Sequence, residues 1–290
     1  MKFYTSVLPY RGRLLVRGVD KDGAQKKYRI NYKPSLFVPV GKETKYKTLD
    51  GRYVERIKFD SMPEATKWVN EYKNVTNFEY FGNTRHQYPF IADEFKGKID
   101  WDMNQIKLLT IDIECESENG FPSPEKADQP LICITVKDHT TKRIIVFGMG
   151  NFVNDREDVQ YINCVTETGL VETFTKFWVE YNPDIITGWN VKFFDIPYLM
   201  NRFRYLMGDE WLNQFSPWGV VEQKSASVLF ASREQQVWNI MGVDTLDYLD
   251  LYRKFTFVRR ESYKLDYIGE VELGQNKLDN PYDTFKEFYS

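Results

Sequence analysis

The sequence predicts an α/β fold preceded by a smaller, β-rich α+β region. In the first hundred residues, short strand-like runs alternate with Gly and Pro, as in hairpins. From Lys107 onward the apolar runs are longer, and strands then alternate with amphipathic helices. That order of elements is typical of an α/β sandwich. We place the boundary near residue 103, which divides the chain into regions 1–103 and 104–290.

The first region contains three segments with strand composition, namely KFYTSVL, GRLLVRGVD and KKYRINYKPSLFVPV. The segment PEATKWVNEYKNV that follows has helical periodicity instead. Its residues Ala65, Trp68, Val69 and Tyr72 form one apolar stripe. We therefore expect a helix packed on small antiparallel sheets.

The second region opens with KLLTIDIEC, PLICITVKD and KRIIVFGMG, which predict an antiparallel meander at the start of a mixed sheet. TGLVETFTKFWVEYN predicts a helix, PDIITGWN a strand, and FDIPYLMNRFRYLMG a helix that tolerates Pro197 in its first turn. Residues Val221–Val243 suggest a long hairpin with its turn near Ala231 and Ser232. DTLDYLDLYRKFTF then predicts a strand-to-helix passage, and SYKLDYIGEVELG a short helix.

Composition limits the class of protein. The 290 residues are 42% hydrophobic and 28% charged, which is typical of a globular chain. The formal net charge of −3 neither indicates nor excludes a nucleic-acid partner. Three cysteines without paired spacing predict reduced thiols inside a cell. Because no segment resembles a signal peptide or a membrane span, we expect a soluble, cytoplasmic protein.

One strand of the predicted sheet, within LLTIDIECES, carries two acids. Side chains on a strand alternate between faces, so Asp112 and Glu114 project from one face, and Ile111 and Ile113 from the other. Two neighbouring carboxylates repel each other, more strongly when buried. Solvent, a basic partner or a divalent metal would each offset this repulsion.

A second acid, Asp195, lies at the start of a predicted helix in TGWNVKFFDIPYL. Taken alone, it is explained as a helix N-terminal cap. That explanation leaves out Asn190 and Phe194, which precede it at a fixed spacing. An Asp-x-Glu strand followed by Asn-x-x-x-Phe-Asp is typical of a two-metal phosphate-hydrolysing site.

These residues resemble the first and second motifs of the DEDD-type 3′–5′ exonucleases. Over essentially all 290 residues the chain also resembles the N-terminal part of family-B DNA polymerases of large tailed phages, best in GWNVKFFDIPYLMNRF, FSPWGVV and DTLDYLDLYRKF. The resemblance implies an N-terminal polymerase domain followed by a ribonuclease-H-like proofreading exonuclease domain. It implies single-stranded DNA and primer–template DNA as partners. The rest of the polymerase and a sliding clamp are further implied partners.

The resemblance also implies the roles of individual residues. Asp112, Glu114 and Asp195 would be catalytic and would hold two divalent metal ions, Mg²⁺ or alternatively Mn²⁺. Asn190 and Phe194 would contact DNA. Phe121 would wedge against the frayed primer end, although an aromatic in such a loop could equally plug the core. The Val221–Val243 hairpin would help to separate primer from template.

The family's third motif, Tyr-x-x-x-Asp, is a departure from the resemblance. It should follow the segment SYKLDYIGEVELG, yet no such spacing occurs beyond Leu265. We therefore expect the chain to lack the fourth metal-binding acid, the tyrosine that orients water, and the polymerase palm and fingers. Either the sequence is part of a longer chain or the polymerase is encoded in pieces.

Two alternatives stay open at this point. The chain could be a catalytically silent nucleic-acid-binding scaffold that assembles with a separate polymerase chain, which the missing motif favours. It could also be a free-standing RNA-trimming nuclease, which the β-rich first region argues against.

Overall fold

A computed structural model describes residues 1–118, 120–227 and 234–277. The chain divides into two compact units between Gln105 and Ile106. Both units combine helices with sheets, and the second is built on a mixed six-stranded sheet. The predicted fold class is therefore confirmed.

The first unit consists of two small antiparallel sheets and two helices. One sheet has the strand order β1-β2-β3 and the other β4-β6-β5. The elements are β1 (Phe3–Tyr10), β2 (Arg13–Val19), β3 (Gln25–Ile30), β4 (Ser35–Pro39), β5 (Tyr46–Lys47), β6 (Tyr53–Lys58), α1 (Met62–Tyr72) and α2 (Gln87–Glu94).

The start of α1 has a local cause in the sequence. The hydroxyl of Ser61 accepts a hydrogen bond from the Glu64 backbone N–H at 3.3 Å, and the Glu64 carboxylate accepts one from Asp60 N–H at 2.7 Å. Such caps satisfy backbone donors that the first helical turn leaves unpaired. Ala65, on the predicted apolar stripe, packs in a buried cluster with Leu36.

The second unit contains the elements that carry the candidate site. They are β7 (Leu108–Cys115), β8 (Leu131–Asp138), β9 (Ile144–Gly148), β10 (Val159–Asn163), α3 (Glu167–Tyr181), β11 (Ile185–Gly188), α4 (Asp195–Met207), α5 (Asp209–Leu212), β12 (Val221–Ser227), β13 (Glu234–Ile240), β14 (Asp244–Asp247), α6 (Tyr248–Phe255) and α7 (Leu265–Leu273).

The large sheet has the strand order β10-β9-β8-β7-β11-β14. Strands β7, β8 and β9 pair antiparallel, which is the predicted meander. Strand β10 pairs parallel with β9, and β7, β11 and β14 are parallel to one another. The parallel group places three strand C-termini along one edge of the sheet.

Helix α3 buries the apolar stripe that its sequence predicts. Leu170, Val171, Phe174 and Trp178 are at most 2% exposed and belong to the main core cluster, together with residues of β7, β8 and α4. Burial of such large side chains contributes about 1.5–3 kcal/mol each to folding. This core fixes β7 and α4, which hold the acids, against each other.

The predicted hairpin forms from β12 and β13, which pair antiparallel from Val221↔Ile240 to Ser227↔Glu234. Its turn near Ala231 and Ser232 lies outside the described residues. Within the described ranges, no helix is both long and apolar enough to cross a membrane.

Candidate active site

The candidate site lies where three parallel strands end. Asp112 and Glu114 occupy the last part of β7, the loop 189–194 follows β11, and Asp247 is the last residue of β14. In α/β sheets the carboxyl ends of parallel strands are the usual place for a ligand, because the connecting loops converge there. Residues from three separate parts of the sequence thus meet at one edge.

Strand β7 separates polar from apolar side chains as its alternation predicts. Ile111 and Ile113 are buried in the core, whereas Asp112 is exposed and Glu114 half-buried. The neighbouring strand β11 approaches closely because Gly188 has no side chain. A Cβ there would lie 2.7 Å from the Ile111 carbonyl oxygen.

Asp195 joins the second sequence motif to the first. Its Oδ1 accepts a hydrogen bond from the backbone N–H of Ile113 at 3.2 Å, and its side chain is only 5% exposed. The N-cap position of α4 is held by Phe194, without a side-chain cap. Asp195 therefore does not act as the cap that its position alone would indicate, but reaches to the β7 backbone at Ile113, the residue between Asp112 and Glu114 in the sequence.

Both aspartates have raised pKa values at this edge of the sheet. Burial, followed by the nearby charge of Asp112, raises the pKa of Asp195 to about 8. Asp112 keeps contact with solvent, yet partial loss of hydration raises its pKa. The positive charge of Lys277 offsets part of this increase. Without a cation, full ionisation of both carboxyl groups is therefore disfavoured at this edge of the sheet.

The side chains present suit a hard divalent cation. Carboxylate oxygens are the ligands that Mg²⁺ prefers, and a cation would relieve the repulsion that raises the Asp195 pKa. Among residues 1–118, 120–227 and 234–277, no three Asp, Glu, His or Cys groups converge as a ready-made metal cluster. The structure thus brings Asp195 to β7 but does not bring three carboxylates to one point.

The loop after β11 presents Asn190 and Phe194. Asn190 has a left-handed backbone with φ of 62°, and its carbonyl oxygen accepts hydrogen bonds from Phe193 and Phe194 N–H at 3.1 and 2.9 Å. Non-glycine residues adopt that conformation infrequently, and Asn is among those that do so most readily. The tight turn places Asn190, Phe194 and Asp195 within one short segment.

Phe121 meets Phe194 at the same edge. The two ring centroids are 5.5 Å apart and the rings are inclined by 46°. Because Phe121 is 86% exposed, it does not plug the core. Two residues predicted to contact DNA, one from the loop after β7 and one from the second motif, therefore lie side by side, and Phe121 is open to solvent.

Helix α4 anchors the loop that carries Phe121. Three polar side chains on the helix donate hydrogen bonds to backbone carbonyl oxygens of residues 124–129. These are Tyr198 to Gln129 at 2.6 Å, Asn201 to Pro124 at 2.7 Å, and Arg202 to Ala127 at 3.1 Å. The helix that begins with Asp195 thus also holds the Phe121 loop in place.

The hairpin strand β13 also contacts this edge. The amide of Gln235 donates to the carbonyl oxygen of Phe193 at 3.0 Å and to the Glu125 carboxylate at 3.5 Å. One leg of the hairpin is therefore fixed beside both the loop after β11 and the Phe121 loop.

One residue of this edge, Asp247, was missed by sequence reasoning. It is 4% exposed, and its carboxylate accepts hydrogen bonds from the backbone N–H groups of Asn190, Lys192 and Leu249. The sequence feature that could have indicated Asp247 is its place as an acid at the strand-to-helix junction in DTLDYLDLYRKF. Sequence spacing alone does not show that this acid faces the loop more than fifty residues earlier.

Comparison with known proteins identifies the family. Residues 64–268 match the family model described as DNA polymerase family B, exonuclease domain. The chain is 31% identical to the DNA-directed DNA polymerase of Escherichia phage RB69, over 99% of this chain and 35% of the phage protein. It is 29% identical to the DNA-directed DNA polymerase of Enterobacteria phage T4, over 97% of this chain and 34% of that protein.

More distant relatives match part of the chain. The DNA polymerase delta catalytic subunit of Candida albicans is 31% identical over 61% of this chain and 18% of its own length. The chain spans about a third of the length of the two phage relatives. It belongs to DNA polymerase family B and carries that family's 3′–5′ exonuclease domain.

Proposed function

We propose that this chain proofreads DNA for a replicative polymerase of the phage type, by hydrolysing the terminal nucleotide at a 3′ end. The observation that carries the proposal is the hydrogen bond from Ile113 N–H to Asp195. It joins the two sequence motifs at the carboxyl edge of the parallel strands, where substrates bind in such sheets.

Asp112, Glu114 and Asp195 would hold two divalent cations, Mg²⁺ or Mn²⁺. When bound, such a pair lowers the pKa of water and neutralises the attacking and leaving oxygens of an in-line displacement on phosphorus. The role of the protein is to fix the carboxylates. The β7 backbone sets Asp112 and Glu114 on one face, and Ile113 N–H holds the Asp195 carboxylate against the same strand.

The aromatic pair suits the end of a DNA strand. A base can stack on an exposed aromatic face without regard to its identity, which contributes about 1–3 kcal/mol per base. Phe121 is exposed and rests against Phe194. A frayed 3′ terminus reaches such a platform more easily than a paired one, since unpairing a mismatched base costs less. The Asn190 amide would hydrogen-bond the same nucleotide.

The distribution of charge supports a DNA partner. Residues 1–105 contain 20 Lys and Arg against 13 Asp and Glu, whereas residues 106–290 contain 19 against 29. A basic unit attracts a phosphate backbone and makes binding dependent on salt. We assign residues 1–105 as the N-terminal polymerase domain and the remainder as the exonuclease domain.

Partners beyond DNA are proposed from the resemblance to phage polymerases. The polymerase remainder, in the same or a separate chain, and replisome proteins such as a sliding clamp are proposed partners. The proposed location is the cytoplasm of the host cell.

The test is Asp112→Ala, assayed on a 3′-labelled single strand with Mg²⁺ or Mn²⁺. Loss of hydrolysis by at least about 10²-fold is expected. DNA binding should stay unchanged or tighten, because a negative charge near the phosphate is removed. Unchanged digestion would mean that the site is assigned wrongly.

A nucleic-acid-binding scaffold is the second candidate, favoured by the positive charge of the first unit. It predicts salt-dependent DNA binding without hydrolysis, both for the chain alone and with a polymerase fragment added. Hydrolysis only with the added fragment would indicate a site built from both polypeptides.

A further inference from the structure

Asp247 is a buried acid to which the proposed reaction gives no role. It lies at the end of β14 and pairs in register with Gly188, the last residue of β11. Its carboxylate is 4% exposed and reaches across to the loop that follows β11. A buried charge is costly unless hydrogen bonds compensate for its lost hydration. The groups that bond the Asp247 carboxylate therefore indicate which part of the structure it holds.

The compensation comes from three backbone N–H groups. Oδ1 accepts from Asn190 at 3.0 Å and from Leu249 at 2.9 Å, and Oδ2 accepts from Lys192 at 3.0 Å. Hydrogen bonds to a charged group are stronger than those between neutral groups. Two of the three donors belong to the loop that presents Asn190 and Phe194.

The bonded loop has an unusual conformation. Asn190 has a φ of 62°, and its own carbonyl oxygen accepts from two further N–H groups. Such a conformation persists when the surroundings over-determine it. The Asp247 carboxylate bonds the N–H groups on both sides of Val191, and so fixes the first part of the turn that the Asn190 carbonyl oxygen closes onto Phe193 and Phe194.

We infer that Asp247 is a positioning residue, which holds the 189–194 loop so that Asn190 and Phe194 face the 3′-terminal nucleotide. The inference rests on the proposed function, because it concerns how the DNA end is held. It assigns to Asp247 neither contact with metal nor contact with substrate.

The variant Asp247→Ser separates this role from helix capping. Asp247 is also the N-cap of α6, where its side chain accepts from Leu249 N–H. Serine is an equally good N-cap, but its single short hydroxyl does not reach the Asn190 and Lys192 N–H groups. The helix start is therefore kept while the loop loses its anchor.

Asp184→Asn is a matched control. Asp184 is also 4% exposed, precedes the opposite end of β11, and accepts a backbone hydrogen bond from Lys107 N–H at 3.0 Å. It is as buried as Asp247 and directly precedes β11, the strand with which β14 pairs. It does not hold the loop after β11.

The experiment uses the full chain and three measurements. Backbone amide exchange at Asn190 and Lys192 should accelerate roughly tenfold or more in Asp247→Ser. Affinity for an oligo-dT 3′ end, measured by anisotropy in EDTA, should fall at least about fivefold. The kcat/KM for digestion should fall roughly tenfold or more, since small misplacements near reacting groups are costly. Asp184→Asn should leave all three within about twofold.

The outcomes separate the two claims. Equal effects of Asp247→Ser and Asp184→Asn, or unchanged amide exchange in Asp247→Ser, would overturn the role of Asp247. A wild-type chain that neither binds nor digests DNA would overturn the proposed function, while the exchange measurement still decides whether Asp247 holds the loop. If Asp247→Ser failed to fold, the same measurements on Asp247→Asn, which removes one acceptor oxygen, would decide whether the Asp247 carboxylate holds the loop.

Discussion

Replacing Asp195 with asparagine should stabilise the metal-free protein at neutral pH. The carboxylate is buried, and burial together with Asp112 raises its pKa to about 8. Asparagine has nearly the same shape and keeps an oxygen that can accept from Ile113 N–H. The substitution therefore removes an unfavourable ionisation without removing the hydrogen bond.

The magnitude follows from linkage. Below about pH 4, Asp195 is protonated in both the folded and the unfolded chain, so asparagine confers no advantage. Between about pH 4 and 8 it ionises only in the unfolded chain, and the folded wild type loses stability as pH rises. At pH 7 the difference spans about three pKa units at about 1.4 kcal/mol each, a ceiling of about 4 kcal/mol. Relaxation and water entry lower this to about 2 kcal/mol.

Urea unfolding in EDTA, measured at intervals from pH 4 to 9, is the assay. The advantage of Asp195→Asn should grow with pH, level off above about pH 8, and correspond to a melting-temperature increase of roughly 4–8 °C. Saturating Mg²⁺ should reduce or reverse the advantage, because the cation stabilises only the wild-type carboxylates. Equal destabilisation of the variant at pH 4 and pH 8 would contradict this prediction, since the effect would then come from packing alone.

Three further results are expected. Phe121→Ala should reduce excision from a mismatched primer–template more than from a single strand, because only the former needs a wedge; equal losses would contradict that role. Arg202→Leu should lower the unfolding free energy by about 3–5 kcal/mol, because the mostly buried Glu167 carboxylate loses its cationic partner and two 2.7 Å contacts, and keeps only the hydrogen bond from Leu131 N–H; Glu167→Gln/Arg202→Leu should recover part of this in a denaturant titration. Burial raises the pKa of Cys115 to about 12 and of Cys133 to about 11, so neither thiol should react with iodoacetamide at pH 8 until urea is added; rapid labelling of the folded chain would contradict their burial.

The elements that could be predicted from sequence have strong local periodicity. The spacing of apolar residues predicts the buried stripe of α3 and the alternating faces of β7, and the structure has both. The missed elements have weak patterns. Strand β10 is a short sheet-edge segment of mixed polarity, and α2 contains Pro89 and leaves only Phe90 buried.

For the candidate site, sequence could indicate which residues matter but not how they are held. Asp112 and Glu114 share a face because residues two apart on a strand point the same way, and this spacing can be read from the sequence. The contact between Asp195 and Ile113 N–H joins residues 82 positions apart, and the role of Asp247 depends on the pairing of β14 with β11. Such contacts arise from sheet order, which no local pattern contains.

The proposed function requires that this edge of the sheet hydrolyse DNA from the 3′ end. The most direct measurement is product analysis of a single strand labelled at its 3′ terminus and, separately, at its 5′ terminus, with Mg²⁺ or Mn²⁺. We predict immediate release of labelled mononucleotide from the 3′-labelled strand, and a ladder of shortening products from the 5′-labelled one. Release of internal fragments, or of mononucleotide first from the 5′ label, would contradict it.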